Sequence, residues 1–170
     1  MHGLKRQLLH KIAIFGALSN ATLEFLLEHS AEIGYAPGEY VFREGEPADA
    51  IYILASGRAV TLKAWDGELY LLGQLETGDC FGEMALMDMN PRSASVLITE
   101  NALALKMESH LLLELYQQDL EQFALFQMNL GREVSRRLRQ SDERMFRWRV
   151  SMEARDELPK YTGLAAIDGQ

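Results

Sequence analysis

Apolar residues change their spacing twice along this chain. Over residues 4 to 30, Leu8, Ile12, Leu23, Phe25, Leu26 and Leu27 recur at helical intervals. The pattern breaks near Gly16, and Ser19 and Asn20 stand where a second helix would be capped. From Glu32 to Lys106 the helical period gives way to short β-rich runs: Tyr40-Val41-Phe42, Ile51-Tyr52-Ile53-Leu54, Ala59-Val60-Thr61-Leu62, Leu69-Tyr70-Leu71-Leu72, Ala94-Ser95-Val96-Leu97-Ile98 and Ala102-Leu103-Ala104-Leu105. Gly38, Gly45, Gly57, Gly67 and Gly78 punctuate them, which predicts a β-sandwich or roll with structural glycines in its turns. From Glu108 onward the helical period returns. A first helix is expected over roughly Glu108 to Gln117. A long one follows from about Asp119 to Met152, with an apolar stripe at Leu120, Phe123, Leu130, Val134, Leu138, Met145, Trp148 and Met152. That helix is too long for one small roll to cover.

Composition narrows the class. A chain of 170 residues with 48% hydrophobic content suits one domain with a full core. The formal charge of −8 argues against non-specific DNA binding. The basic run Arg132, Arg136, Arg137, Arg139, Arg144, Arg147 and Arg149 is interleaved with Glu133 and Glu143 at four-residue spacing, the pattern of a paired, solvated helix face. The single cysteine, Cys80, excludes an internal disulfide and a cysteine-cluster metal site, and is read as a small buried hydrophobe. His2, His10, His29 and His110 lack the spacing of a ligand pair, so no metal is expected. Ser93 has no histidine beside it in sequence, so no catalytic set emerges and the protein is read as a non-enzyme. The segment His2 to Lys11 is polar and basic, and no apolar run reaches membrane-spanning length. The expectation is a soluble, cytoplasmic protein with no membrane partner.

The candidate chemistry lies in Phe81 to Val96, FGEMALMDMNPRSASV. Gly82 can let a ligand approach the backbone, and Glu83-Met84-Ala85-Leu86-Met87 are good helix formers. A short helix starting there would turn its unpaired N–H groups toward an anion, with Asn90-Pro91 ending it. Arg92 is expected at the mouth of this pocket, where its planar fork matches two phosphate oxygens. Glu83 would repel that anion but can accept from a sugar hydroxyl beside it. Met84, Met87 and Met89 are read as adaptable packing residues, with Met84 or Met87 in the pocket's lining as the alternative.

At these residues the chain resembles the cyclic nucleotide-binding domain family, whose phosphate-binding cassette reads F-G-E-x-A-L, a spacer, then P-R-S/T/A-A-x-V. Phe81, Gly82, Glu83, Ala85, Leu86, Pro91, Arg92, Ser93, Ala94 and Val96 fit it. Ile14-Phe15-Gly16-Ala17-Leu18-Ser19, the stretch Tyr35 to Asp49, Ile51-Tyr52-Ile53-Leu54, Ser56-Gly57 and Thr77-Gly78-Asp79 extend the likeness over most of residues 12 to 144. The resemblance implies an α+β fold: an eight-stranded antiparallel β-roll of jelly-roll topology flanked by N-terminal helices and a long C-terminal helix. The expected organisation is a nucleotide-binding domain over residues 1–155 (helices 1–30, roll 31–107 with the cassette at 81–96, helices 108–155) and a tail over 156–170.

The implied ligand is cAMP, with cGMP as the alternative; Ser93 after the arginine leans toward cAMP. Phe81, Gly82, Glu83, Met84, Ala85, Arg92, Ser93, Ala94 and Ser141 are the candidate contacts. Ser141 and Asp142 resemble the polar residues that meet the purine in bacterial cAMP receptors, and Asn129, Arg132, Arg136 or a partner chain's residue are the alternatives for the base. The long helix implies a homodimer, and signalling to an unknown effector protein through the C-terminal helices is the expected output. The chain after Met152 is too short for the winged helix-turn-helix of the family's transcription regulators, which argues against direct DNA reading. A nucleic-acid-associated regulator and a ligand-free dimeric scaffold are the rival readings.

Overall fold

The computed structural model describes residues 12–150. A single 3-10 turn, Ala13–Phe15, leads into helix α1, Asn20–Glu28. The Ser19 hydroxyl accepts from the Thr22 N–H at 3.1 Å, the N-cap expected from the sequence. Four strands follow: β1 (Ala31–Tyr35), β2 (Tyr40–Phe42), β3 (Ala50–Trp65) and β4 (Glu68–Leu75). A two-residue strand β5, Cys80–Phe81, runs into the short helix α2, Glu83–Asp88. Strand β6, Ser95–Glu108, then hands over to α3, Ser109–Gln118, and α4, Leu120–Val150. The part of the expected first helix that includes Leu8, the end of the long helix at Met152 and the tail over 156–170 lie outside the described residues.

All pairings are antiparallel, in the order β1-β6-β3-β4, with β2 on β6 and β5 on β3. The expected α+β roll is present, carried among the described residues by six strands rather than eight. Two pairs of the short runs read from the sequence are continuous: Ile51–Leu54 with Ala59–Leu62 in β3, and Ala94–Ile98 with Ala102–Leu105 largely in β6. Irregularities bend these long strands instead of ending them. The register between β3 and β6 shifts three times between Leu54 and Ala59, around Gly57. Gly57 has φ 89, and a Cβ there would lie 2.4 Å from the Asn101 carbonyl oxygen. Only glycine lets the two backbones cross this closely.

The core has two faces because strand side chains alternate. Ile51 and Ile53 of β3, with Leu105 and Met107 of β6, face Ile14, Phe15, Leu23, Leu26, Leu111, Leu115, Phe126 and Leu130 of the helices. Tyr52 and Leu54, one residue out of step, face the roll interior with Phe42, Phe81, Val96 and Ile98. Leu86 of α2 packs against the helical core, which seats the cassette between the two layers. Cys80 is buried as expected, and burial pushes its thiol well up.

The stripe of α4 divides along its length. Phe126 and Leu130 are buried on the roll, whereas Leu138, Met145, Phe146 and Trp148 are exposed. Asn129 is buried beside Leu130, and its amide donates to the carbonyls of Ile14 (3.2 Å) and Gly16 (2.6 Å). One side chain of α4 thereby satisfies two acceptors that the 3-10 turn leaves open.

Candidate functional site

The site forms where β5 runs into α2. Phe81 pairs with Tyr52 in register and stacks on it, ring centroids 5.5 Å apart at 13°. The strand must become a helix within one residue, and Gly82 does this at φ 78, in the left-handed region that a Cβ disfavours. A Cβ here would also lie 2.6 Å from Nη1 of Arg92, so the guanidinium would have to shift.

Arg92 does not sit at the mouth as the sequence suggests. It is 3% exposed, with Nη1 donating to the Gly82 carbonyl at 2.9 Å and Nη2 to the Ala50 carbonyl at 2.8 Å. Its guanidinium carbon lies 4.2 Å from the Phe42 ring centroid and 5.7 Å from that of Tyr52. An aromatic face and two strand-end carbonyls draw the guanidinium inward. The nearest carboxylate, Asp49, is exposed and 4.0 Å away. Among the described residues Arg92 Nε has no hydrogen-bond acceptor. Burial pulls the Arg92 pKa down, opposed by Tyr52 and the nearby carboxylates, yet a guanidinium keeps its proton at any working pH. A desolvated cation with a donor left over and no hydrogen-bonded carboxylate is an arrangement for binding an anion.

Glu83 is 1% exposed and is already engaged by the long helix. Arg137 of α4 donates Nη1 to Glu83 Oε1 at 2.8 Å, Nη2 to the Cys80 carbonyl, and Nε to Glu133 Oε1 at 3.1 Å. Glu133, itself buried, receives Nη2 of Arg136 on both oxygens at 2.6 and 2.7 Å. Charges of alternating sign thus run Glu83, Arg137, Glu133, Arg136. Burial pushes the Glu83 carboxyl up, and Arg137 pulls it back only in part. Arg137 is the site residue that sequence reasoning missed. Its spacing from Glu133 predicts the pair along the helix, and nothing in that spacing signals that the same guanidinium spans to the cassette.

The other candidates are placed unevenly. Phe81, Gly82, Glu83 and Arg92 come together. Ser93 is exposed, and its carbonyl accepts from Lys63 Nζ at 2.8 Å; Ala94 is half-buried. Ala85 lies on α2. Met84 and Met87 are about half exposed and Met89 is 92% exposed, so these three are not packing residues. The helix they belong to buries its Leu86 side instead. Ser141 is exposed on α4, beyond Arg137. Of the alternatives for the base, Asn129 holds the 3-10 turn, Arg132 donates to Asn129 Oδ1 at 2.8 Å, and Arg136 is spent on Glu133. Among the described residues no group of three or more His, Cys, Asp or Glu is placed to hold a metal ion, and no helix is long and apolar enough to cross a membrane.

Comparison with known proteins agrees with this geometry. The cyclic nucleotide-binding domain pattern matches residues 32–119. The chain is 31% identical over 132 residues to the cyclic AMP receptor protein of Thermus thermophilus, covering 76% of this chain and 58% of that one. It is 30% identical over 103 residues to a CRP-like cAMP-activated global transcriptional regulator of Mycobacterium tuberculosis, covering 60% and 46%. It therefore spans about half the length of these curated relatives. The crystal structure of a cyclic nucleotide-binding domain from Methylobacillus flagellatus superposes with a TM-score of 0.75 at 21% identity, over 90% of this chain and 84% of that one, a likeness of fold. With the cassette, the roll and the buried arginine in one frame, the chain belongs to the cyclic nucleotide-binding domain family.

Proposed function

We propose that the chain is a cAMP receptor that reports occupancy through α3 and α4 to a separate effector protein. The observation that carries this reading is Arg92: a buried guanidinium beside Gly82 with, among the described residues, Nε unpaired and no carboxylate in hydrogen-bond reach. The cyclic phosphate is the anion that it takes, and Glu83 accepts a ribose hydroxyl. Ser93 beside the arginine, together with relatives named for cAMP, favours cAMP over cGMP.

The output follows from Arg137. Because Glu83 is bonded to α4, a ligand at Glu83 acts on the helix directly, and its differential affinity for two helix packings shifts their populations. Exposed Leu138, Met145 and Phe146 suit a second copy of the chain across the distal half of α4. A groove of about 490 Å³ lined by Arg136, Arg139, Arg144 and Arg147 is what a nucleic-acid-associated reading would use. Arg136 and Arg147 in it are paired with Glu133 and Glu143, which weakens that alternative.

Calorimetric titration of cAMP and cGMP into protein that has been unfolded and refolded tests the proposal. Micromolar or tighter cAMP binding, with cGMP weaker, supports it. No heat and no thermal stabilisation with either nucleotide overturns it in favour of the ligand-free scaffold.

A further inference from the structure

We infer that Glu133 is a positioning residue: it holds the Arg137 head group to α4 and so sets where the Glu83 carboxylate meets a ribose hydroxyl. This rests on the proposed nucleotide site and adds to it a residue that need not touch the ligand.

The argument starts from what Arg137 alone would do. Its side chain is long and flexible, and two of its three bonded nitrogens, Nη1 and Nη2, bind Glu83 and the Cys80 carbonyl, both on the β5–α2 segment. With those two bonds only, the guanidinium would travel with the cassette while its stem bent, and helix and cassette would be loosely linked. Glu133 supplies the third bond, from Nε, and it comes from α4 itself, one turn earlier. Three acceptors on three edges of a planar fork fix its plane as well as its position.

Glu133 is in turn over-determined. It is 4% exposed, and Arg136 binds both of its oxygens. The carboxylate cannot swing away to solvent without breaking both of these bonds, which come from Nη2 of Arg136. Its burial is balanced by two guanidiniums, so the cluster of Glu83, Arg137, Glu133 and Arg136 carries no net charge. The exposed pair of Arg147 with Glu143 on the same helix has no such third contact with the roll among the described residues.

The test compares cAMP with 2′-deoxy-cAMP on wild type, Glu133→Gln and Arg147→Gln. Wild type should prefer the ribose ligand by roughly tenfold, the value of a hydrogen bond to a charged group. Glu133→Gln should bring that ratio close to one by weakening cAMP and leaving 2′-deoxy-cAMP nearly unchanged, and Arg147→Gln should keep it. A merely structural loss would weaken both ligands alike. If Glu133→Gln does not fold, Glu133→Asp, which keeps the charge but shortens the reach, should show the same collapse. A ratio retained in whichever variant folds overturns the positioning role and leaves the receptor reading intact. Equal binding of both ligands by wild type overturns it too, with cAMP reception still standing. Binding of neither ligand by wild type is the failure of the receptor reading itself.

Discussion

Arg137 and Glu83, 54 positions apart, meet at 2.8 Å, and the bond joins the long C-terminal helix to the first residue of the cassette helix. The carboxylate is nearly inaccessible and the guanidinium only partly so, at 1% and 32% side-chain exposure. Salt screens such a pair far less than it screens the surface pairs of α4. Movement at either end is therefore felt at the other.

Arg92 should be irreplaceable by lysine. An ammonium keeps the charge but lacks the planar fork that serves the Gly82 and Ala50 carbonyls together. Arg92→Ala is expected to weaken cAMP binding by about 2 kcal/mol, on the order of 30-fold. Arg92→Lys should recover only a small part of it. Calorimetry on both variants decides this, and unchanged affinity in Arg92→Ala would sink the assignment of the pocket.

Gly82→Ala combines two insults, a left-handed φ of 78 and a Cβ 2.6 Å from Arg92 Nη1. Backbone strain alone is expected to cost about 1–2 kcal/mol. Moving Arg92 should also lower nucleotide affinity. Thermal unfolding with and without cAMP measures the two effects separately. A variant with wild-type melting and affinity would mean that neither the turn nor the contact is under constraint.

Asn129→Ala leaves the carbonyls of Ile14 and Gly16 without their buried donor. The expected loss is about 1–3 kcal/mol of folding stability. Denaturant unfolding reads it directly, and a loss below 0.5 kcal/mol, roughly that of an ordinary surface change, would show that water serves those carbonyls as well.

The pH dependence of stability should carry two opposed contributions. Burial raises the Glu83 pKa, so the folded state holds this proton to a higher pH than the unfolded chain does. Ionised Glu83 is thus a cost above its folded pKa, relieved as pH falls toward the unfolded value. Glu44 acts in the reverse sense. The hydrogen bond from Lys63 lowers its pKa, so its contribution is present above the unfolded value and fades as pH falls through the folded one. Melting curves of wild type and Glu83→Gln from about pH 7 to about pH 4 isolate the first contribution. Wild type should gain on the variant as the solution is acidified, and a constant difference would contradict the burial of an ionised Glu83.

Leu138→Glu should leave the monomer's stability nearly unchanged, because the side chain is exposed on α4. If the distal helix pairs with a second copy, the same change should convert a dimer to a monomer in sedimentation at micromolar concentration. A wild type that already sediments as a monomer would remove the dimer from the proposal.

Local information was legible in the chain. The N-cap at Ser19, the change from helical to strand period near Glu32 and back near Glu108, and the cassette around Gly82 are read from residues a few positions apart, and they stand in the structure. The Glu133–Arg137 pair was legible for the same reason, since helix geometry alone brings i and i+4 together. What the tertiary structure decided involves partners with no fixed offset. Strand count depended on whether Gly57 ends a strand or bends it, and that is set by the approach of Asn101 and Ala102. Arg92 lies inside because the Ala50 carbonyl and the Phe42 ring come to it from distant strands. Arg137 reaches Glu83 because α4 packs against α2. Spacing along a chain specifies contacts within one element; contacts between elements exist only once burial of the apolar faces has chosen how the elements stack.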